Sequence, residues 1–136
     1  MAGNIRLEVV TPEQYVVNEE VQIAVAPGSL GEFGVLIGHT PFLTTLKTGV
    51  MHYTDAKGVE KFVFVSGGFA EALPDKVTVL AESAERRKDI DIDRAKSSME
   101  RAQQRLAQEK AEDIDFYRAK AALERALYRI RVAETR

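Results

Sequence analysis

Apolar and polar residues alternate along Ile5-Arg6-Leu7-Glu8-Val9 and again along Val21-Gln22-Ile23-Ala24-Val25. A period of two sends successive side chains to opposite faces, so each stretch predicts a strand with one face on a core and one in water. Thr11-Pro12-Glu13 predicts a turn, Gln14 to Val17 a short β segment, and Asn18-Glu19-Glu20 a second turn. Val50 to Thr54 and Glu60 to Val65 flank Asp55-Ala56-Lys57-Gly58, a polar loop ending in glycine that suits a hairpin with a bulge. Phe62-Val63-Phe64-Val65 is apolar on both faces and reads as a central strand. Phe69 to Leu73 and Lys76 to Ala81 are joined by Pro74-Asp75, which fits the central positions of a type I turn. About ten short strands at this spacing predict an all-β sandwich or barrel, the sandwich being the expected fold class.

After Ala81 the pattern changes, because Glu82-Ser83-Ala84-Glu85-Arg86-Arg87-Lys88 has neither alternation nor a β-branched residue. A domain boundary is expected there, with a β-sandwich over 1–85 and an α-helical antiparallel hairpin over 86–136. Asp89 to Leu106 aligns with Asp113 to Ile130 at a period of 24, with identity at ten of eighteen positions, so each copy predicts one helix. An aspartate at each start, Asp89 or Asp91 and Asp113 or Asp115, can cap the free N–H groups of the first turn. Ile92, Ala95, Met99, Ala102 and Leu106, then Phe116, Ala119, Leu123, Ala126, Ile130 and Ala133, are spaced alternately three and four. That is a heptad seam in which alanines alternate with large residues, a pattern that lets two helices approach closely. The linker Glu82 to Lys88 and the connection Ala107 to Glu112 contain neither glycine nor proline, so neither hinge carries a strong helix stop. The residues leave two readings: a static hairpin packed on the sandwich, which physical pattern alone favours, and a hairpin that opens into one helix, in which Ile92 to Ala133 would span about 63 Å at ~1.5 Å per residue.

Cysteine is absent, which excludes disulfide scaffolds, thiolate catalysis and cysteine-ligated metals. The first residues lack an apolar signal core and no run approaches the ~20 apolar residues of a membrane span, so membrane association is expected only through partners. The net charge of −2 conceals an asymmetry: residues 1–85 carry 5 Lys/Arg against 11 Asp/Glu, and residues 86–136 carry 14 against 10. The basic tail alternates its charges with acids and lacks stacking aromatics, which argues against nucleic acid and leaves a solvated face or an acidic protein partner. His39 and His52 are the only histidines, no metal-ligand spacing occurs, and no constellation suggests acid-base or nucleophilic catalysis.

The densest punctuation is Pro27 to Gly49, with five glycines and two prolines. A phosphate loop needs Gly-Lys-Ser/Thr opening a helix, whereas Gly38-His39-Thr40-Pro41 opens a strand-like run, so Gly28, Gly31, Gly34 and Gly38 are expected at turns or close approaches. Gly-x-Leu-Gly-x-x-Gly-Val-Leu-x-Gly-His-x-Pro-Phe-Leu-Thr-x-Leu-x-x-Gly, on Gly28 to Gly49, resembles the signature of the epsilon subunits of bacterial and chloroplast F-type ATP synthases. Ser66-Gly67-Gly68-Phe69-Ala70-Glu71 followed by Val77-Thr78-Val79-Leu80-Ala81 is similar to the family's second signature, and Ile37 stands where the family commonly has proline.

This resemblance implies a non-catalytic subunit of the central stalk that couples proton translocation to ATP synthesis and restrains ATP hydrolysis by a folded-to-extended change of its helices. It implies as partners the gamma subunit and the c subunits of the rotor ring, contacted through the loop with Glu32 and His39. In the extended state the basic second helix would meet the catalytic beta subunits. The implied location is the cytoplasmic face of a bacterial plasma membrane. No cofactor is required, but ATP is implied as a regulatory ligand. Family members that bind it carry Ile/Leu-Asp-x-x-Arg-Ala, matched by Ile90, Asp91, Arg94 and Ala95; a preceding glutamate is matched by Glu85, and two second-helix arginines by Arg125 and Arg129. Rival readings are a small nucleotide-binding or hydrolysing module and a free-standing coiled-coil adaptor.

Overall fold

The computed structural model describes residues 3–108 and 114–135. Nine strands precede two helices: β1 (Ile5–Val10), β2 (Tyr15–Gly28), β3 (Gly31–Val35), β4 (Phe42–Thr45), β5 (Gly49–Asp55), β6 (Glu60–Ser66), β7 (Phe69–Ala72), β8 (Lys76–Leu80), β9 (Ser83–Arg86), α1 (Ile92–Gln108) and α2 (Ile114–Ala133). They fall into two compact units, Met1–Arg86 and Arg87–Arg136.

In the first unit the alternation read at Ile5 becomes geometry. Ile5, Leu7 and Val9 of β1 are fully buried, while Arg6, Glu8 and Val10 face partly outward. β1 pairs antiparallel with β2 and parallel with β8, and the strands form the path β4-β7-β8-β1-β2-β5-β6-β9, with β3 also on β2. The sandwich folds about β2, whose fourteen residues serve both layers: the first half pairs with β1 and the second with β5 and β3. A register shift between Val21 and Ile23 marks the crossover, as a bulge that bends a long strand does. The turn expected at Asn18-Glu19-Glu20 is therefore absent, for these residues pair with Glu8, Leu7 and Arg6 of β1. Glu19 is tolerated within the ladder because its carboxylate accepts a hydrogen bond from the Tyr53 hydroxyl at 3.1 Å and lies 3.6 Å from both Lys61 Nζ and Arg86 Nη2.

The other turns follow their residues. Thr11 closes the β1–β2 turn by accepting from the Gln14 N–H through its hydroxyl at 3.3 Å, and Pro74-Asp75 joins β7 to β8 with Leu73 donating to the Lys76 carbonyl at 2.8 Å. Asp55 organises the β5–β6 hairpin, its Oδ1 accepting from the N–H groups of Lys57 and Val59, each at 2.9 Å. Val63, Phe64, Val65 and Ser66 of β6 are buried in succession, which matches a strand covered on both faces. Its partner on the far side from β5 is β9, so the stretch expected to be a linker continues the sheet through Arg86. Backbone pairing with β6 and burial of Ala84 outweigh the weak β propensity of Ser83-Ala84-Glu85-Arg86.

In the second unit a single 3-10 turn, Arg87–Asp89, precedes α1. Asp91 is the cap of α1: its Oδ1 accepts from the Arg94 N–H at 3.0 Å. The connection at Ala107 to Glu112 falls outside the described residues apart from Ala107 and Gln108, which complete α1, and Asp113 falls outside them too. The alanine seam is present, with Ala95, Ala102, Ala119 and Ala126 all at 4% exposure or less. Its two ends differ from expectation: Ile92 is 40% exposed at the helix start, and the last buried position is Val132 rather than Ala133.

Candidate functional site

Two regions carry the residues singled out above. One is the end of the sandwich built by Gly28 to Gly49. Here the Ser29 N–H donates to the Thr45 carbonyl at 2.9 Å and the Thr45 hydroxyl to Ser29 Oγ at 2.7 Å, tying the β2–β3 turn to β4. Phe33 and Phe42 meet edge to face with ring centroids 5.3 Å apart, and His39 lies 6.3 Å from the Phe42 ring. Gly31 and Gly38 take positive φ and Gly28 has Gly31 close above it, but Gly34 needs neither special dihedral nor space, contrary to expectation. Ile37 packs its side chain partly against the core. Glu32 is exposed on β3 opposite Pro27, and His39 is half-buried. Around them Leu30, Leu36, Phe42 and Leu43 are exposed, Leu30 almost completely. Apolar side chains left in water together at one end of a well-packed sandwich mark a docking surface.

The other region is the hairpin. A cavity of about 400 Å³ opens between α1 and α2, and its lining runs Ser98, Arg101, Ala102 and Arg105 on one helix against Arg118, Ala119, Ala122 and Arg125 on the other. The helices are antiparallel, so Arg105 near the end of α1 comes level with Arg118 near the start of α2. Followed in the opposite direction, the same register sets Arg94 level with Arg129. Of the residues matched to the ATP-binding pattern, Arg125 thus enters the cavity, Arg94 and Arg129 lie beyond it toward the start of α1, and Ile90 and Ala95 are buried with apolar roles. Asp91 has one oxygen engaged as the helix cap. Glu85 lies in the first unit, on β9, paired with Phe64 of β6.

Arg101, Arg105 and Arg118 were not among the sequence-derived candidates. The 24-residue repeat held the signal, since it aligns Arg101 with Arg125, Arg105 with Arg129 and Arg94 with Arg118. The Arg-Ala pair after each helix start plays one part twice: the alanine enters the seam and the arginine stands beside it. Among the described residues no cluster of His, Asp or Glu is arranged to hold a metal ion, and no helix is long and apolar enough to cross a membrane.

A β-sandwich followed by a pair of long helices defines a class, and both parts match one family. The chain belongs to the ATP synthase delta/epsilon chain family: residues 4–87 match its beta-sandwich domain and residues 88–134 its long alpha-helix domain. Within that family its similarity is to epsilon chains. It is 60% identical to the ATP synthase epsilon chain of Desulforapulum autotrophicum over 136 residues, covering 100% of both chains. It is 66% identical to that of Desulfatibacillum aliphaticivorans over 110 residues, 81% of this chain and 78% of the relative. The fold recurs in a chain of the Euglena gracilis mitochondrial ATP synthase, OSCP/F1/c-ring in rotational state 1, with a TM-score of 0.81 and 22% identity over 99% of this chain and 84% of that one.

Proposed function

We propose that this epsilon chain is a non-catalytic rotor subunit, in which the sandwich links the gamma subunit to the c ring and the hairpin restrains ATP hydrolysis by opening. The observation that carries the regulatory part is the seam of Ala95, Ala102, Ala119 and Ala126, all buried. Helices joined over alanines have a close but small interface, and an element of that kind sits within reach of an alternative state. The exposed apolar end around Leu30, Phe42 and Leu43 supplies the surface for the gamma subunit and the c ring, with Glu32 and His39 at its polar margin. Once open, the basic second helix is drawn to an acidic surface of the catalytic beta subunits, where it obstructs rotation in the hydrolysis direction.

ATP acts in this reading as a ligand. Arg94 and Arg129 come level only in the closed hairpin, so a phosphate group held between them and Arg125 favours closure. At about 100 times its dissociation constant such a ligand stabilises the closed form by ~2.7 kcal/mol. The test uses the assembled enzyme at the cytoplasmic face of a bacterial membrane. Paired spin labels on α1 and α2 report their separation while hydrolysis is followed. Inhibited enzyme at low ATP is expected to show separated helices, and added ATP to bring them together as hydrolysis recovers. Inhibition with the labels still close would sink the switch. Equal calorimetric binding of ATP to wild type and to an Arg125→Ala, Arg129→Ala double variant would sink the ATP site alone.

A further inference from the structure

We propose that the Arg86 side chain pins the hinge at the end of the first unit, holding β9 in the sheet so that movement of the helices is confined to Arg87–Asp89. This rests on the movement of the helices in the preceding reading. β9 is poorly equipped to hold itself. It has four residues, one neighbour on the strand path, β6, and one buried apolar side chain, Ala84. Its last residue, Arg86, closes the first unit, and the chain leaves the sheet directly into the 3-10 turn Arg87–Asp89. A pull from the helices therefore reaches the end pair of Val63 and Arg86 first, and a short edge strand frays from its end.

The Arg86 side chain opposes that opening. Arg86 pairs with Val63, a core residue, so its side chain starts toward the space between the two layers. There its Nε donates to the Val16 carbonyl at 2.7 Å and its Nη2 stands 3.6 Å from Glu19 Oε2, both on the half of β2 that pairs with β1 in the opposite layer. A guanidinium fork that engages two groups at once makes a directional contact that an ammonium does not reproduce. Glu19 is itself fixed, by the Tyr53 hydroxyl at 3.1 Å and by Lys61 Nζ at 3.6 Å, and Lys61 Nζ also lies 3.2 Å from Asp55 Oδ2. Two carboxylates thus face two cations, and the cluster joins β2, β5, β6 and β9 with its charges balanced.

The pin sets reach. Three extended residues span at most about 10 Å, whereas release of β9 would lengthen the tether to seven residues and about 24 Å. Held by Arg86, the helices swing from a short tether at a fixed point. Without it they range over a radius more than twice as large.

The test is hydrogen exchange of the full chain, followed in peptides that cover β9 and β1, for wild type, Arg86→Ala and Arg86→Lys. In Arg86→Ala the β9 peptide is expected to exchange at least about tenfold faster than in wild type. Its rate should be insensitive to low urea, which marks opening of β9 alone rather than of the whole unit. Arg86→Lys keeps the charge but not the fork, is expected to fall between the two, and carries the comparison if the alanine variant does not fold. β9 exchange equal to wild type in the alanine variant, or in the lysine variant where only that one folds, overturns the proposal. So does β9 exchange in the variant that rises with urea in step with β1. Reach is read in the assembled enzyme, under the inhibited conditions that separate α1 from α2, from spin labels on Ala56→Cys and Ser97→Cys, both exposed positions in a chain without cysteine. With Arg86→Ala the distances are expected to extend up to about 14 Å beyond those of wild type, and identical distributions overturn the role in reach. If α1 and α2 never separate, the switch of the preceding section falls, while β9 exchange still decides whether Arg86 holds the strand.

Discussion

Arg86 and Val16 lie 70 residues apart in the chain, yet the Arg86 Nε donates a hydrogen bond of 2.7 Å to the Val16 carbonyl oxygen. This contact, with the Arg86 to Glu19 pair at 3.6 Å, fastens the end of β9 to the start of β2. Replacing Arg86 with alanine leaves a carbonyl and a partly buried carboxylate without that donor. The expected loss is about 1–3 kcal/mol from the first unit. Chemical denaturation of residues 1–86 with and without the substitution measures it, and an unchanged midpoint would show that β9 is held by its backbone pairing alone.

Gly68 cannot accept a side chain. Its φ is +99°, and a Cβ added there would meet the Leu80 carbonyl oxygen at 1.9 Å. Gly68→Ala is expected to cost roughly 2–3 kcal/mol by forcing β8 away from the β6–β7 corner. The same substitution at Gly34, where the nearest atoms stand at ordinary contact distance, is expected to cost far less. Thermal unfolding of both variants compares them directly.

Acid should act on the β5–β6 hairpin through Asp55. The Val59 N–H, then the Lys61 ammonium and the Lys57 N–H, hold its carboxyl below the usual carboxylate range, against the opposing effect of burial. A depressed folded value contributes stability that is complete above the unfolded value of about 3.9 and is lost as pH falls through the folded one. The urea midpoint of wild type should therefore drop more between pH 5 and pH 2 than that of Asp55→Asn, which has no proton to gain. Parallel pH profiles would show that the carboxylate contributes nothing particular.

Ala126 is 1% exposed in the hairpin seam. Ala126→Leu forces a larger group between helices spaced for a methyl, at an expected cost of roughly 1–3 kcal/mol to the closed form. The open helix has no such constraint, so the population should move toward it. Distances between paired labels on α1 and α2 should lengthen on average, and an unaltered distribution would remove this alanine from the closing interface.

What could be read from the residues alone depended on whether a segment's environment was encoded within it. β1 alternates because one of its faces is buried, and that pattern is visible without knowing the partner strand. β9 is the opposite case: Ser83 to Arg86 becomes a strand through what β6 offers it. Asn18 to Glu20 looked like a turn because polar runs usually are, whereas cations from Lys61 and Arg86, distant in sequence, allow Glu19 to stay in the ladder. The start of α1 was legible from the capping chemistry of Asp91, and the alanine seam from its spacing. The arginine cavity was not, because the facing of Arg105 and Arg118 appears only when the two helices are set in register.

The parallel pairing of β1 with β8 has a consequence for how the first unit is made. Residues 6–10 find their partners at residues 76–80, so one side of β1 stays unpaired until nearly the whole unit has left the ribosome. The hairpin with β2 can form early, but it exposes a row of free N–H and C=O groups on the other side of β1. Such an edge invites pairing with other nascent chains, and the closing step brings together segments distant along the chain, which makes it slow. Translation speed and chaperone capture over the last strands thereby bear directly on how much of this subunit reaches its native form.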